Sequence, residues 1–216
     1  MNYRYYTNNS IKATTGLVAA YNMIPSNGTL VDISGNSRHG TLNGGVINTK
    51  DGLGFNGVNG YIGSITSPTY TDKLSVSVRF KPTDDTFVGY KGVIGDWNLT
   101  GDKRSWFIIK DAGNKYEFDI STNGKWVSGR SIATDEALTK NLWYTLTAVY
   151  NGAKIYMYLN GVKQTAERNV TGNLFQGDLL QIGTYNSDLI RCFPGEIQDV
   201  RIYNRELSEQ EIKDYH

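Results

Sequence analysis

Leu142-Trp143-Tyr144-Thr145-Leu146-Thr147-Ala148-Val149-Tyr150-Asn151-Gly152-Ala153-Lys154-Ile155-Tyr156-Met157-Tyr158-Leu159-Asn160-Gly161 decides the fold. Leu142 to Tyr150 reads as one strand and Ala153 to Leu159 as the next. In the second, Lys154, Tyr156 and Tyr158 alternate with Ile155, Met157 and Leu159, the period of two that sends neighbouring side chains to opposite faces. Asn151-Gly152 between them is the dipeptide that two-residue hairpin turns favour, because both residues tolerate positive φ. An antiparallel hairpin is expected, turning at those two residues.

Outward from this hairpin the same pattern repeats. Seven Asn-Gly dipeptides start at Asn27, Asn43, Asn56, Asn59, Asn123, Asn151 and Asn160. Between them lie further short strand-like runs: Leu17 to Tyr21, Gly60 to Ile65, Leu74 to Phe80, Gly92 to Asp96, Ser105 to Lys110, Lys115 to Ser121, Leu179 to Thr184 and Gly195 to Tyr203. In Lys115 to Ser121, Tyr116, Phe118 and Ile120 share a core face, while Glu117 and Asp119 share the face expected to be wet. Ile197 precedes Val200 by three positions, so a bulge near Gln198 and Asp199 is needed to turn both inward. One helix is expected, at the end. There Ser208 and Glu211 form a capping box, and Leu207 and Ile212 a hydrophobic staple. A single sheet of so many strands would leave an apolar face in water, so the predicted class is all-β, a two-sheet antiparallel β-sandwich with one short C-terminal helix.

Composition sets the limits. A chain of 216 residues buries about 70% of its unfolded surface, enough for one sizeable core. Lysine plus arginine number 22 against 21 acidic residues, a net charge of +1. That near-balance supplies neither the counterion release that drives nucleic-acid binding nor a polybasic membrane anchor. Apolar runs fall far short of the roughly 20 residues that a membrane helix needs, so no membrane insertion is expected. The single cysteine, Cys192, excludes an internal disulfide and a cysteine-based zinc site. Residues 1–15, rich in Tyr, Asn and Thr, read as an N-terminal arm, and 16–216 as the domain. The opening residues carry no basic-then-apolar secretion signal; an extracellular or virion surface is the working location.

Three segments carry a family resemblance: Gly16-Leu17-Val18-Ala19-Ala20-Tyr21, Asp32-Ile33-Ser34-Gly35-Asn36-Ser37-Arg38-His39-Gly40-Thr41-Leu42, and Gly195 to Ser208. With the Leu142 to Gly161 hairpin, they resemble the laminin G-like jelly rolls of the concanavalin A-like lectin and glucanase superfamily. The resemblance implies a concanavalin A-like jelly roll. It says little about activity, since this scaffold carries lectins, adhesion modules, hydrolases and virion parts. Among relatives a structural calcium is frequent, and the positions that look like its contributors are Asp32, Asn36 and Asp199. The same residues also suit an Asx turn at Asp32 and a pairing of Asp199 with Arg201 or Arg205.

Catalysis is not expected. Glycoside hydrolases resembling this superfamily place two glutamates around an aspartate on one strand. The nearest match, Glu117-x-Asp119-x-Ser121, has serine in the third slot. A Ser-His-Asp triad would have to be built on His39, which belongs to a turn. Sugar recognition instead calls for aromatic faces beside amide and carboxylate groups. Two loops have that mixture, Asp96-Trp97-Asn98 and the residues after it, and Tyr185-Asn186 and the residues after it; Trp126 is a third contributor. Trp106 and Trp143 read as core. The expected function is a non-catalytic carbohydrate-binding or adhesion domain whose partner is a glycan or cell-surface polysaccharide. The alternative is a virion decoration or fibre component gripping capsid or tail subunits through the arm.

Overall fold

A computed structural model describes residues 14–84, 89–186 and 191–214. Its strands are β1 (Leu17–Tyr21), β2 (Pro25–Ser26), β3 (Thr29–Leu30), β4 (Gly40–Asn43), β5 (Ile47–Asn48), β6 (Leu53–Asn56), β7 (Tyr61–Ile65), β8 (Leu74–Pro82) and β9 (Lys91–Asn98). They continue as β10 (Lys103–Lys110), β11 (Tyr116–Gly124), β12 (Ile132–Ala133), β13 (Tyr144–Tyr150), β14 (Lys154–Leu159), β15 (Val162–Asn169), β16 (Leu180–Ile182) and β17 (Pro194–Tyr203). One helix, α1 (Glu209–Lys213), closes the described chain.

Two antiparallel sheets face each other. One runs β15-β14-β13-β8-β17-β6-β5, with β1 paired to β17; the other runs β12-β11-β10-β9-β16-β7-β4-β3-β2. Every strand expected from the sequence is present. The additional ones are edge or connecting strands too short for alternation to register, apart from β15, whose polar residues hide its period. Between the sheets, Val76, Val78 and Phe80 of β8 and Leu146, Ala148 and Tyr150 of β13 meet Trp106 and Ile108 of β10 and Phe118 and Ile120 of β11, all fully buried. Phe80 lies 4.7 Å from Tyr116 across this layer. Burying such a side chain contributes about 1.5–3 kcal/mol, so this layer drives the collapse.

The β13–β14 hairpin turns one residue later than its Asn-Gly pair suggests. Asn151 N–H donates to Lys154 O at 3.2 Å, and Tyr150 pairs with Ile155, leaving Gly152 and Ala153 at the tip. Gly152 takes φ +91, and the Asn151 side chain accepts from the N–H groups of Ala153 and Lys154. Asn151 therefore caps the turn and glycine alone bends it. Faces are unaffected, because the register moves by an even number of residues.

The bulge in β17 falls between Ile197 and Asp199, and Ile197 and Val200 are both fully buried. Ser208 caps α1 with the complete reciprocal box to Glu211, and Leu207 and Ile212 bury against Tyr156, Tyr158 and Tyr203. This helix covers an apolar stripe on the outer side of the first sheet. Trp106 is core as expected, whereas Trp143 is half-buried with Arg79 and Lys81 over its ring. At the β15 border, Asp135 accepts from Thr165 N–H at 3.0 and 3.1 Å and from its hydroxyl at 2.6 Å, which occupies the edge donor. The predicted arm lies outside the described residues except for Thr14 and Thr15.

Candidate ligand-binding site

The end of β9, singled out in the sequence for Asp96 and Asn98, adjoins a shallow open cleft of about 430 Å³ lined by Ser64, Ile65, Thr66, Ser67, Gly177 and Asp178. Three ties hold its walls. Gln176 Nε2 donates to Pro68 O at 2.8 Å and its Oε1 accepts from Tyr70 N–H at 3.1 Å. Asp178 accepts from Asn98 Nδ2 at 3.0 Å and from Lys103 Nζ at 2.6 Å. Asp96 Oδ1 accepts from Leu179 N–H at 3.0 Å. The cleft is thus braced before any ligand arrives, which reduces the ordering cost of binding.

Asp96 sits directly behind this wall, fully buried. Gly177 makes that possible, since a Cβ there would collide with the Asp96 carboxylate. Burial pushes the Asp96 carboxyl up to about 6, against the pull of Leu179 N–H and the Ser67 and Tyr70 hydroxyls, while Asp178 raises it further. Asp178 itself is held low by the Lys103 ammonium. Ser67 Oγ, Tyr70 OH and Asp96 Oδ2 lie near one another without completing hydrogen bonds of good geometry.

The aromatic residues are arranged differently. Trp97 and Tyr185 are 3% and 8% exposed and pack on Phe107 and Ile109, with Phe107 4.7 Å from Trp97 and 5.5 Å from Tyr185. Gly92 and Gly95 let the Tyr185 backbone lie close on β9. Asn186 is buried beside them, its carbonyl accepting from the Thr184 hydroxyl at 3.3 Å. Of the predicted aromatic contacts, Trp126 alone is open to solvent, at 57%. The rest of the Tyr185 loop, 187–190, lies outside the described residues. Ser64, Thr66, Ser67, Gly177 and Asp178 were not singled out by the sequence; they come from distant segments that only the strand order joins.

The face of β11 expected to be wet is largely covered, with Glu117 half-buried. Asp119 is fully buried and Arg130 Nε stands 3.8 Å from its Oδ1, while Arg130 also donates to Ile120 O. Burial pushes the Asp119 carboxyl up to about 7, with Arg130 pulling it back. Ser121 is buried too and donates to Lys125 O at 2.7 Å. The segment after β11 folds back over these residues, a tertiary packing that alternation cannot reveal.

Asp32 and Asn36 come together around Ser34. Asp32 accepts from the N–H groups of Ala20, Ser34 and Arg38 and from the Ser34 hydroxyl. Burial pushes its carboxyl up, but these donors outweigh burial and hold it below the usual range. Asn36 Nδ2 donates to Leu17 O and Ser34 Oγ. Asp199 engages Arg201 through bonds of 2.9 and 2.8 Å instead. Every carboxylate oxygen of this trio already carries a donor, a poor fit to calcium. Among the described residues no group of three His, Cys, Asp or Glu is arranged to hold a metal ion.

A two-sheet antiparallel sandwich with its cleft at the rim defines a lectin-like jelly roll. Residues 56–213 match the Laminin_G_3 family model, described as the concanavalin A-like lectin/glucanases superfamily, and the chain belongs to that family. No curated protein sequence matches it. Similar solved structures include the binding domain of Paraclostridial Mosquitocidal Protein 1 (TM-score 0.71, 17% identity, covering 94% of this chain and 52% of that one). The botulinum neurotoxin serotype D binding domain is similar at TM-score 0.71 and 18% identity, covering 94% and 51%. Trypanosoma rangeli sialidase in complex with sialic acid follows at TM-score 0.70 and 15% identity, covering 93% of this chain and 32% of that one. The chain thus spans about half of the two toxin domains and a third of the sialidase. At these identities the likeness is one of fold.

Proposed function

We propose that this protein is a non-catalytic carbohydrate-binding domain, of lectin or adhesion type, that holds glycans at the rim of its second sheet. The observation that carries this reading is the braced cleft, whose exposed Ser64 and Thr66 and the Asp178 carboxylate match the hydrogen-bonding needs of a sugar. Two neighbours by fold are toxin binding domains, which agrees with a recognition role. The covered Asp119 supports the absence of hydrolysis, because a retaining pair needs two reachable carboxyls about 5–5.5 Å apart. Glycan-array binding followed by calorimetry, run beside a reducing-sugar release assay on a polysaccharide panel, is the test. Saturable binding without release supports the reading. Release that Glu117→Gln abolishes would replace it with an enzyme.

A further inference from the structure

We infer that the cleft between Ser64–Ser67 and Gly177–Asp178 selects neutral sugars over acidic ones, with Ser67 relaying a sugar hydroxyl to the buried Asp96. This rests on the carbohydrate-binding reading and specifies its ligand class.

Charge decides the selection. Two carboxylates adjoin the cleft, and they are not equivalent. Asp178 is exposed and neutralised by Lys103 Nζ at 2.6 Å. Asp96 is fully buried, with no cation among its hydrogen-bond partners, one residue's thickness behind the wall at Gly177. Field lines from a charge in a low-dielectric wall reach the cleft poorly screened, so a sugar carboxylate there meets a like charge. A neutral hydroxyl meets an acceptor.

Ser67 makes the connection. It lines the cleft, and its buried hydroxyl faces the Asp96 carboxyl without completing a hydrogen bond of good geometry. Ser67 Oγ is itself buried, so a turn of the side chain about χ1 is what opens its lone pairs to a sugar O–H while it donates to Asp96, and each bond then polarises the next. Tyr70, whose buried hydroxyl also neighbours Asp96 without a hydrogen bond of good geometry, stays neutral, because burial raises its ionisation well above the usual phenol range. A divalent cation is a weaker candidate, since both Asp178 oxygens already hold Asn98 and Lys103, leaving one carboxylate where calcium wants several oxygens.

The relay has a pH signature. The titratable and charged groups facing Asp96 are Asp178 from the loop before β16, with its partner Lys103 from β10, and Tyr70 from the segment before β8. Of these, only Asp96 changes charge near pH 6. Once protonated it donates to Ser67 and reverses the relay, so affinity for a donating sugar hydroxyl falls.

The experiment is calorimetric titration with the methyl glycosides of glucose, galactose and mannose, and with glucuronic acid and N-acetylneuraminic acid, at pH 7.5 and 5.0. Wild type, Ser67→Ala and Thr66→Trp are compared, the last placing an indole in the cleft from an exposed position. Circular dichroism confirms that each variant is folded. At least one neutral glycoside should bind tenfold or more tightly than either acid, weaken several-fold at pH 5.0, weaken about tenfold in Ser67→Ala and be lost in Thr66→Trp. Acidic sugars binding as well as neutral ones, or undiminished binding in both variants, overturns the inference and leaves the carbohydrate reading standing. No binding to any sugar by the wild type, here and on the array, removes both.

Discussion

Arg205 grips Glu211 with two hydrogen bonds of 3.0 and 2.6 Å, joining the end of β17 to the first turn of α1. The same carboxylate accepts from Ser208 N–H at 2.8 Å, so one side chain completes both the cap and the ion pair. The Arg205 bond, with help from Ser208, holds the Glu211 carboxyl down at about 2. Its stabilisation is present above the ordinary glutamate value and is lost as pH falls from about 4.5 toward 2. Glu211→Gln should cost about 1 kcal/mol at pH 7, the usual worth of a cap, and much less at pH 2.5. Urea melts at the two pH values read the difference.

Asp119 behaves in the opposite sense. Burial lifts it from 3.8 to about 7, so the native state binds a proton that the unfolded chain has released. Its contribution is fully present below pH 3.8 and is lost as pH rises through about 7. Thermal midpoints should therefore decline between pH 5 and 8 for the wild type, and Asp119→Asn should flatten that decline.

The tryptophans divide by burial. Trp126→Ala should leave stability within about 0.5 kcal/mol, as expected of an exposed position. Trp106→Ala removes a fully buried indole and should cost about 3–5 kcal/mol. Trp97→Ala together with Tyr185→Ala strips both flanks of Phe107 and should lower the melting temperature by several degrees. Differential scanning fluorimetry of the three variants makes the comparison.

Calcium and chelator should give the same thermal midpoint, because the oxygens of Asp32 and Asp199 already carry hydrogen bonds from the turn and from Arg201. A rise of several degrees with calcium would show that these bonds yield to the ion.

Strand positions were legible because the core takes every second residue of a strand and so writes a period of two into the sequence, as in Tyr116, Phe118 and Ile120. The bulge before Val200 and the Ser208 cap were legible for the same local reason. Burial of Asp119 was not, since the cover comes from Arg130, whose approach depends on how the chain returns after β11. Trp97 sits among polar neighbours in sequence yet packs on Phe107, one strand away. Of the candidate cleft, the sequence marked Asp96 and Asn98, which stand behind and beside its wall, and none of the residues that line it, since Ser67 and Gly177 lie far off in the chain. Gly177 leaves no local signal, as its necessity comes from the Asp96 carboxylate facing it.

The Asp135 carboxylate on Thr165 bears on how many copies can act together. With that border donor spent, β15 offers one backbone group fewer to a neighbouring molecule pairing along this edge. On the carbohydrate-binding reading proposed above, tethering several such domains on swivelling linkers is the route to avidity that leaves this edge unused.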